Sequence, residues 1–450
     1  MLKQYLKFVM PSICSMVIFN LYTLVDGIFV AHYEGDTALA SINVASPYVT
    51  TIFSIGVLFA IGSSTVMSIY RGANEERKMH EVFTMNTITI SCIAFCIAIL
   101  SFLNSHHITE FLGANADVFN YTDTYIKVLS CFSFFYIVSY CFEVLLKADG
   151  FPQKSIMGIC LGAGTNLILD PLFMGPLNMG IGGAALATGL SQLVTFCFFF
   201  YHFSFSHKSH FHFVKANYPW HEYSRILSLG LPDCISEISP GIMITVFNYR
   251  INQLLGTDGL VTFTVLMYIY NLVLMVMVGA SQGTQPLVSY YYGRSDKNAV
   301  STFHKYARVL VSCAGVLLFL IVEVFAPNIT AAFIPVNTEN YYNTILALRQ
   351  FSFVFLIMGH VVITSGYMVA LEEPRKAFVL SISRGILFVL LSLFVCTTLF
   401  KKNGIWISCT VSDIFCLGIA LYDLKTQKKI KKKTDIQNQT EYLSFLILNA

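Results

Sequence analysis

The sequence predicts an all-α polytopic membrane protein with twelve transmembrane helices in two six-helix lobes related by pseudo-two-fold symmetry. Of its 450 residues, 55% are hydrophobic and 12% are charged, about half of the roughly 25% charged share of a soluble domain. The apolar residues form repeated runs of about 20 residues, long enough to cross a bilayer core about 30 Å thick. The two halves of the chain also match each other at a constant offset.

Twelve apolar runs can be marked, and each is expected to be a helix because lipid offers the backbone no hydrogen-bond partners. The runs longer than about 25 residues must tilt or extend beyond the bilayer. The first run is expected to be retained instead of cleaved as a signal peptide, because it is too long, carries Asp26 and lacks a small-residue cleavage site. In chain order the runs cover 8–32, 42–70, 83–104, 124–147, 153–174, 181–204, 223–252, 259–291, 303–325, 346–370, 376–400 and 404–424.

The basic residues predict the orientation, since Lys and Arg accumulate on the cytoplasmic side of a membrane protein. All but five of the 28 basic residues fall at the N-terminus, in alternate loops or in the C-terminal tail. Both termini are therefore expected in the cytoplasm of a multi-pass plasma-membrane protein, which requires an even number of spans. The five exceptions are Lys127, Arg250, Arg349, Lys401 and Lys402.

An internal repeat divides the chain. A shift of about 221 residues places Gly35, Gly62, Gly72 and Pro11 on Gly256, Gly283, Gly293 and Pro232. Each half has six spans, so the repeats share one orientation and are expected to be related by an axis along the membrane normal, as in some secondary transporters. A cavity between two such lobes can open to either side by rocking them. The predicted divisions are a first lobe 1–204, a cytoplasmic linker 205–222, a second lobe 223–424 and a basic tail 425–450.

Ionisable residues inside a membrane are costly and usually functional, and the first lobe carries the strongest set. Asp26 lies late in the first span, and Asn166 and Asp170 lie one turn apart on one face of the fifth. Pro171 leaves the carbonyl of Leu167 without its usual donor, and Thr188 in the sixth span could add an oxygen. These oxygens suit a small cation or a shared proton. The alternative is that the polar groups only bridge helices for structure.

The second lobe has one acid that points to function and several charges that do not. Glu237 follows Pro232 in the seventh span. It either loads and releases a proton near the midplane or faces a water-filled cavity and solvates it. Glu323 is expected to reach the membrane interface, and Arg250 and Arg384 are expected to snorkel near helix ends.

Other patterns argue against further chemistry. The linker residues His207, His210 and His212 have metal-like spacing but no Cys or carboxylate nearby in sequence, so no metal site is predicted. The 12 Cys all lie in apolar runs and imply no disulfide framework. Since there is no Walker loop, zinc-peptidase motif or nucleophile elbow, no catalytic residue, enzyme activity or prosthetic cofactor is predicted. A net charge of +3 gives no reason to expect a nucleic-acid partner.

Several short motifs together resemble the multidrug and toxic compound extrusion (MATE) family of bacterial exporters over about residues 1–425. They are Pro11 with Asp26-Gly27, Gly35 with Leu39-Ala40, Ala148-Asp149-Gly150-Phe151-Pro152, Asn166-Leu-Ile-Leu-Asp170-Pro171, the run from Met179 to Thr188, and Gln285-Pro286 with Gly293.

The resemblance implies a two-lobe antiporter that exports amphipathic, often cationic compounds in exchange for Na⁺ or H⁺ and contributes to antibiotic resistance. It also implies a first-lobe cation-coupling site at Asp26, Asn166, Asp170 and Thr188, with Glu237 as a candidate for substrate or proton coupling. The turn Leu371-Glu372-Glu373-Pro374 departs from the family's Gly-x-Pro. Small amphipathic molecules and the bilayer are the expected partners of a monomer. The runner-up function is a flippase for a lipid-linked oligosaccharide precursor, which would need a basic cavity.

Overall fold

The computed structural model describes residues 1–215 and 220–448, with side chains described for 1–215 and 221–425. Thirteen α-helices and one π-helical turn account for the regular structure of these residues. The helices are α1 Leu2–Gly72, α2 Glu76–Leu103, α3 Ser105–Phe111, α4 Phe119–Asp149, α5 Pro152–Met174, α6 Gly180–Phe205, α7 Trp220–Gly293, α8 Lys297–Ala331, α9 Glu339–Ser352, α10 Phe355–Ala370, α11 Pro374–Ile382, α12 Phe388–Phe400 and α13 Lys402–Leu448, and the π-helical turn is Ser383–Leu387.

Two of these helices, of 71 and 74 residues, are each long enough to hold two membrane spans, and each is broken at one glycine. Gly35 interrupts α1 with a φ of 80°, and Gly256 interrupts α7 with a φ of 65°. Glycine enters this left-handed region readily because it has no Cβ. The two glycines are the pair matched by the internal repeat, so each lobe begins with two spans joined through one non-helical residue. We call the halves α1a and α1b, and α7a and α7b.

The described residues hold twelve spans, as predicted. α1 and α7 supply two each, and α2, α4, α5, α6, α8 and α13 supply one each. The remaining two spans are both interrupted. One is α9 with α10, bent by 41°, and the other is α11 continued through the π-helical turn into α12. The short α3 lies outside this set.

Buried hydrophobic side chains form two large clusters. The first runs from Met16 to Phe211 and takes in a few residues of the second half, such as Ile226 and Met368. The second runs from Met243 to Cys409 and takes in Tyr5 and Val9 from the first helix. Each half of the chain therefore builds its own core, and the start of the first span in each half packs on the opposite core.

Consecutive spans run in opposite directions, so the N-terminus and the connections 73–75, 150–151, 206–215, 294–296 and 371–373 share one end of the bundle, which we call the basic end. Glycines let backbones of the two halves approach closely in the half of the bundle nearest this end. A Cβ atom on Gly62 would lie 2.0 Å from the carbonyl oxygen of Ile226, and one on Gly230 would lie 1.8 Å from that of Leu58. Such small residues permit close helix contact where lipid supplies no hydrophobic force.

The same contact recurs in the other repeat. A Cβ atom on Gly283 would lie 2.7 Å from the Cα of Val9, and one on Gly279 would lie 2.7 Å from the Cα of Ile13. Thus α1b packs on α7a, and α7b packs on α1a, which is the reciprocal arrangement expected of a pseudo-two-fold axis. We call these two contacts together the interlobe seam.

The described part of the linker, 206–215, packs against the first half of the chain. The ring of Phe211 is fully buried beside Phe83, at 5.7 Å between centroids. The backbone N–H of His210 donates to Asp149 at 2.8 Å, and that of Val214 donates to Thr84 at 3.0 Å. The linker is therefore joined to the first lobe, and His210 is engaged by a carboxylate there.

Candidate functional site

Three of the predicted site residues meet between α1a and α5. Asp170 is fully buried, Asn166 is 2% exposed and Asp26 is partly buried. The Asp26 carboxyl group approaches both Asp170 and Asn166 closely enough to interact with them. The one-turn spacing of Asn166 and Asp170 turns both side chains toward α1a. The arrangement brings together two acids and one amide within the helical bundle.

Several atoms of this cluster lack a hydrogen-bond partner among the described residues. They are Oδ1 of Asp26, both carboxylate oxygens of Asp170 and Nδ2 of Asn166. Buried polar atoms are nearly always hydrogen-bonded, and leaving one unpaired costs about 1–3 kcal/mol. A proton shared between the carboxylates, or a small cation among their oxygens, would satisfy the acceptors. This set of oxygen atoms therefore fits either a proton or a small cation.

Thr188 lies on the face of α6 that meets α1a. One turn further along α6, Gln192 donates to the hydroxyl of Tyr22 at 3.5 Å, and Tyr22 lies one turn before Asp26. The Thr188 hydroxyl oxygen is also buried and lacks a partner among the described residues. Thr188 is therefore one turn along α6 from a residue that contacts the helix carrying Asp26.

A cavity of about 240 Å³ lies between the two halves of the bundle, and Glu237 lines it. Its wall combines α1b, through Thr50 and Val57, with α7, α10, α11 and the π-helical turn. Glu237 therefore faces a cavity shared by both halves. The sequence interpretation missed Asp233, one turn earlier on α7a, which lines the same cavity. The spacing of four residues between Asp233 and Glu237, which places both on one helix face, was the sequence signal that could have identified Asp233.

The sequence interpretation placed Arg384 wrongly. It does not snorkel at a helix end. It lies in the π-helical turn, lines the cavity, and forms an ion pair with Asp413 of α13 at 3.4 Å between Nε and Oδ1. Arg384 is ten residues into its span and Asp413 eleven residues into the next, so each lies about 15 Å from the start of its span along the helix axis. The sequence did offer a signal for this pair, because one apolar run contains a single internal arginine and the next contains an aspartate near its middle.

A two-lobed bundle of twelve spans around a polar cavity is the architecture of a membrane transporter, not of an enzyme. The sequence model of the MatE family matches residues 11–172 and 232–395, one segment in each half of the chain. The chain belongs to this family, which confirms the resemblance read from the motifs.

Curated relatives match nearly the full length. "Multidrug export protein MepA" of Staphylococcus haemolyticus is 23% identical over 446 residues, covering 97% of this chain and 96% of the relative. A Staphylococcus aureus protein of the same name is 22% identical over 421 residues, covering 93% and 92%.

Two solved structures share the fold. One is described as the outward-facing conformation of a multidrug resistance MATE family transporter of the MOP superfamily. It has a TM-score of 0.90 at 22% identity and covers 96% of each chain. The other is a MOP superfamily transporter from Pyrococcus furiosus whose binding pocket is described as having reverse polarity. It has a TM-score of 0.89 at 22% identity and covers 95% of this chain and 96% of its own.

Proposed function

We propose that this protein is a secondary active antiporter that exports amphipathic, often cationic compounds in exchange for Na⁺ or H⁺ by alternating access. The observation that carries the proposal is the pair of acids Asp26 and Asp170, whose buried oxygens lack partners, in a lobe that borders a cavity shared with the other lobe. An ion-loading site and a substrate cavity in one bundle are the two parts that antiport requires. The names of the curated relatives support drug export as the activity.

Alternating access requires that the lobes separate at one end while they close at the other. The interlobe seam closes the half of the bundle nearest the basic end, and the basic residues of that end argue that it faces the cytoplasm. Both termini would then be cytoplasmic, and the structure would correspond to a state closed to the inside. The lobes in this scheme are 1–204 and 223–424, joined by the linker 205–222 and followed by the tail 425–450, and the transporter works as a monomer. The tail beyond Lys425 lies outside the described side chains.

The positions of the acidic residues indicate separate roles in ion binding and substrate binding. Asp26, Asn166, Asp170 and Thr188 would bind the coupling ion in the first lobe, and Glu237 would attract the cationic part of a substrate in the cavity. A flippase for lipid-linked sugar is disfavoured, because pyrophosphate calls for a cluster of cations. The described cavity wall carries two acids and the single base Arg384, itself paired with Asp413.

The test is efflux of ethidium from proteoliposomes that contain the purified protein, with a pH gradient or a Na⁺ gradient imposed alone. We expect one of the two gradients to drive export and a gradient-free vesicle to show none. If neither gradient moves the dye while the purified protein still binds it, the antiport proposal is wrong.

A further inference from the structure

We infer that the central cavity is bipolar and that Arg384 selects substrates that carry an anionic group together with a cationic one. The cavity would then accept zwitterionic amphiphiles, such as those with both an amine and a carboxylate, better than the matching pure cations. This inference rests on the proposed function, since it names a substrate class for the same cavity.

The first step is that the opposite charges of the cavity stay apart. Asp233 and Glu237 lie one turn apart on α7a, whereas Arg384 lies in the π-helical turn. Arg384 takes as its ion-pair partner Asp413, which is not part of the cavity wall. The two acids are therefore not paired with the arginine, and the cavity has acids on one wall and a guanidinium on another.

The second step is that the guanidinium of Arg384 has N–H donors that are not used by its protein contacts. Nε lies 3.4 Å from Asp413, and Nη2 donates to the hydroxyl of Tyr270 at 3.3 Å. A guanidinium has five N–H donors in a planar fork, so these two contacts leave donors for a further acceptor. The side chain is 17% exposed and lines the cavity. A carboxylate is the acceptor that this fork fits best.

The third step is that Arg384 lies in an unusual backbone conformation, the π-helical turn. π-helical turns are rare and often mark functional sites. Gly385, next to Arg384, packs so closely on α7a that a Cβ atom there would lie 2.2 Å from the hydroxyl of Ser239. A second, smaller recess lined by Ser236, Ser239, Tyr270 and Arg384 opens beside the cavity. Its hydroxyls and the guanidinium form a polar recess on the side of the cavity away from α1b.

The experiment compares two dyes that differ in one group. Rhodamine B carries a cationic ring system and a free carboxylate, and its ethyl ester carries the same ring system without the anion. Binding of each dye to the purified full-length protein in lipid nanodiscs is measured by fluorescence anisotropy without any ion gradient. The readout is the ratio of the affinity for rhodamine B to that for the ester, which cancels general losses of binding.

We expect Arg384→Gln to lower this ratio about tenfold, the scale of one charge-assisted contact. Asp413→Asn should leave the ratio unchanged or raise it, because the arginine keeps its charge and loses its competing partner. Arg250→Gln is the matched control, since Arg250 contacts Thr397 at 3.1 Å and is not part of the cavity wall. It should leave the ratio unchanged.

A purely structural ion pair would make Arg384→Gln and Asp413→Asn behave alike, and that result, or an unchanged ratio in Arg384→Gln, would overturn the inference. If Arg384→Gln does not fold, the double variant Arg384→Gln with Asp413→Asn removes both charges, and its ratio decides the question in the same way. Failure of the proposed function would look different. Neither dye would then leave wild-type proteoliposomes under either gradient, whereas the binding ratio needs no gradient.

Discussion

His210 of the linker contacts Asp149, the last residue of α4, through two separate groups. Its backbone N–H donates to Oδ1 at 2.8 Å, and its ring Nδ1 lies 2.9 Å from the same oxygen. The other carboxylate oxygen is 2.9 Å from Nε2 of His202, at the end of α6. One fully buried carboxylate therefore joins the ends of two spans to the segment that connects the lobes.

We predict that Asp149→Ala loosens the linker around His210, because His210 loses both of its contacts with the carboxylate. Trypsin should then cleave after the exposed Lys208 at least several-fold faster than in the wild-type protein, as followed by mass spectrometry of the fragments. Cleavage after the exposed Arg294, in another connection at the basic end, is the internal control. If both sites accelerate equally, the substitution has loosened the whole protein and not the linker alone.

The interlobe seam gives a second prediction. Gly62→Ala places a methyl group against the carbonyl oxygen of Ile226, and overpacking of this kind costs about 1–3 kcal/mol. We expect a lower midpoint of thermal unfolding and a several-fold lower rate of gradient-driven dye efflux. Gly164→Ala is the matched control, because nothing lies within 4 Å of the added methyl group. Equal effects of the two variants would contradict the close contact at Gly62.

The proposed ion site predicts a separation of binding from coupling. Asp170→Asn should fold and still bind a lipophilic cation, because the cavity lies elsewhere, but it should lose gradient-driven efflux. Coupling requires a charge that alternately binds and releases an ion, and a membrane potential supplies about 2.3 kcal/mol per unit charge per 100 mV through such a site. Asn166→Ala should reduce coupling less, since water can replace an amide oxygen. Wild-type efflux by Asp170→Asn under both gradients would make the carboxylate structural.

Glu237 should affect the affinity for a cationic substrate directly. Glu237→Gln removes one of two acids from the cavity wall, so we expect the affinity for tetraphenylphosphonium to fall about tenfold by isothermal titration calorimetry. Glu323→Gln is the control, because Glu323 contacts Ser352 at 2.8 Å and Arg349 at 3.8 Å and is not part of the cavity wall. An unchanged affinity in Glu237→Gln would remove this residue from the proposed substrate site.

The orientation can be tested by labelling. Cysteine replacing the exposed Asn115 should react with an impermeant maleimide added to intact cells, whereas cysteine replacing the exposed His207 should react only after the membrane is opened. Labelling of the His207 variant in intact cells would reverse the proposed topology. The parent protein measures the background from the native cysteines.

The sequence predicted the spans well because hydropathy depends on composition along one segment, and it predicted the paired glycines because Gly35 and Gly256 sit at matched positions of the repeat. It also brought Asn166 and Asp170 onto one helix face, since that spacing is local. It could not show that Asp26 meets them, which depends on how α1a packs on α5. The pairing of Arg384 with Asp413 was missed for the same reason. Their pairing joins successive spans, and a lone arginine in an apolar run resembles a snorkelling one.

The single-residue breaks at Gly35 and Gly256 replace two of the loops between spans, so they reduce the surface that the protein exposes outside the membrane. With the proposed orientation, these breaks lie on the outer face, where the other described connections are 104–118 (which includes α3), 175–179, 332–338 and Lys401. An antibody raised against intact cells would thus meet a small and discontinuous epitope assembled from separate short segments. Immunisation with linear peptides is expected to yield poor surface staining, whereas selection on the folded protein in nanodiscs should yield binders that recognise it on cells.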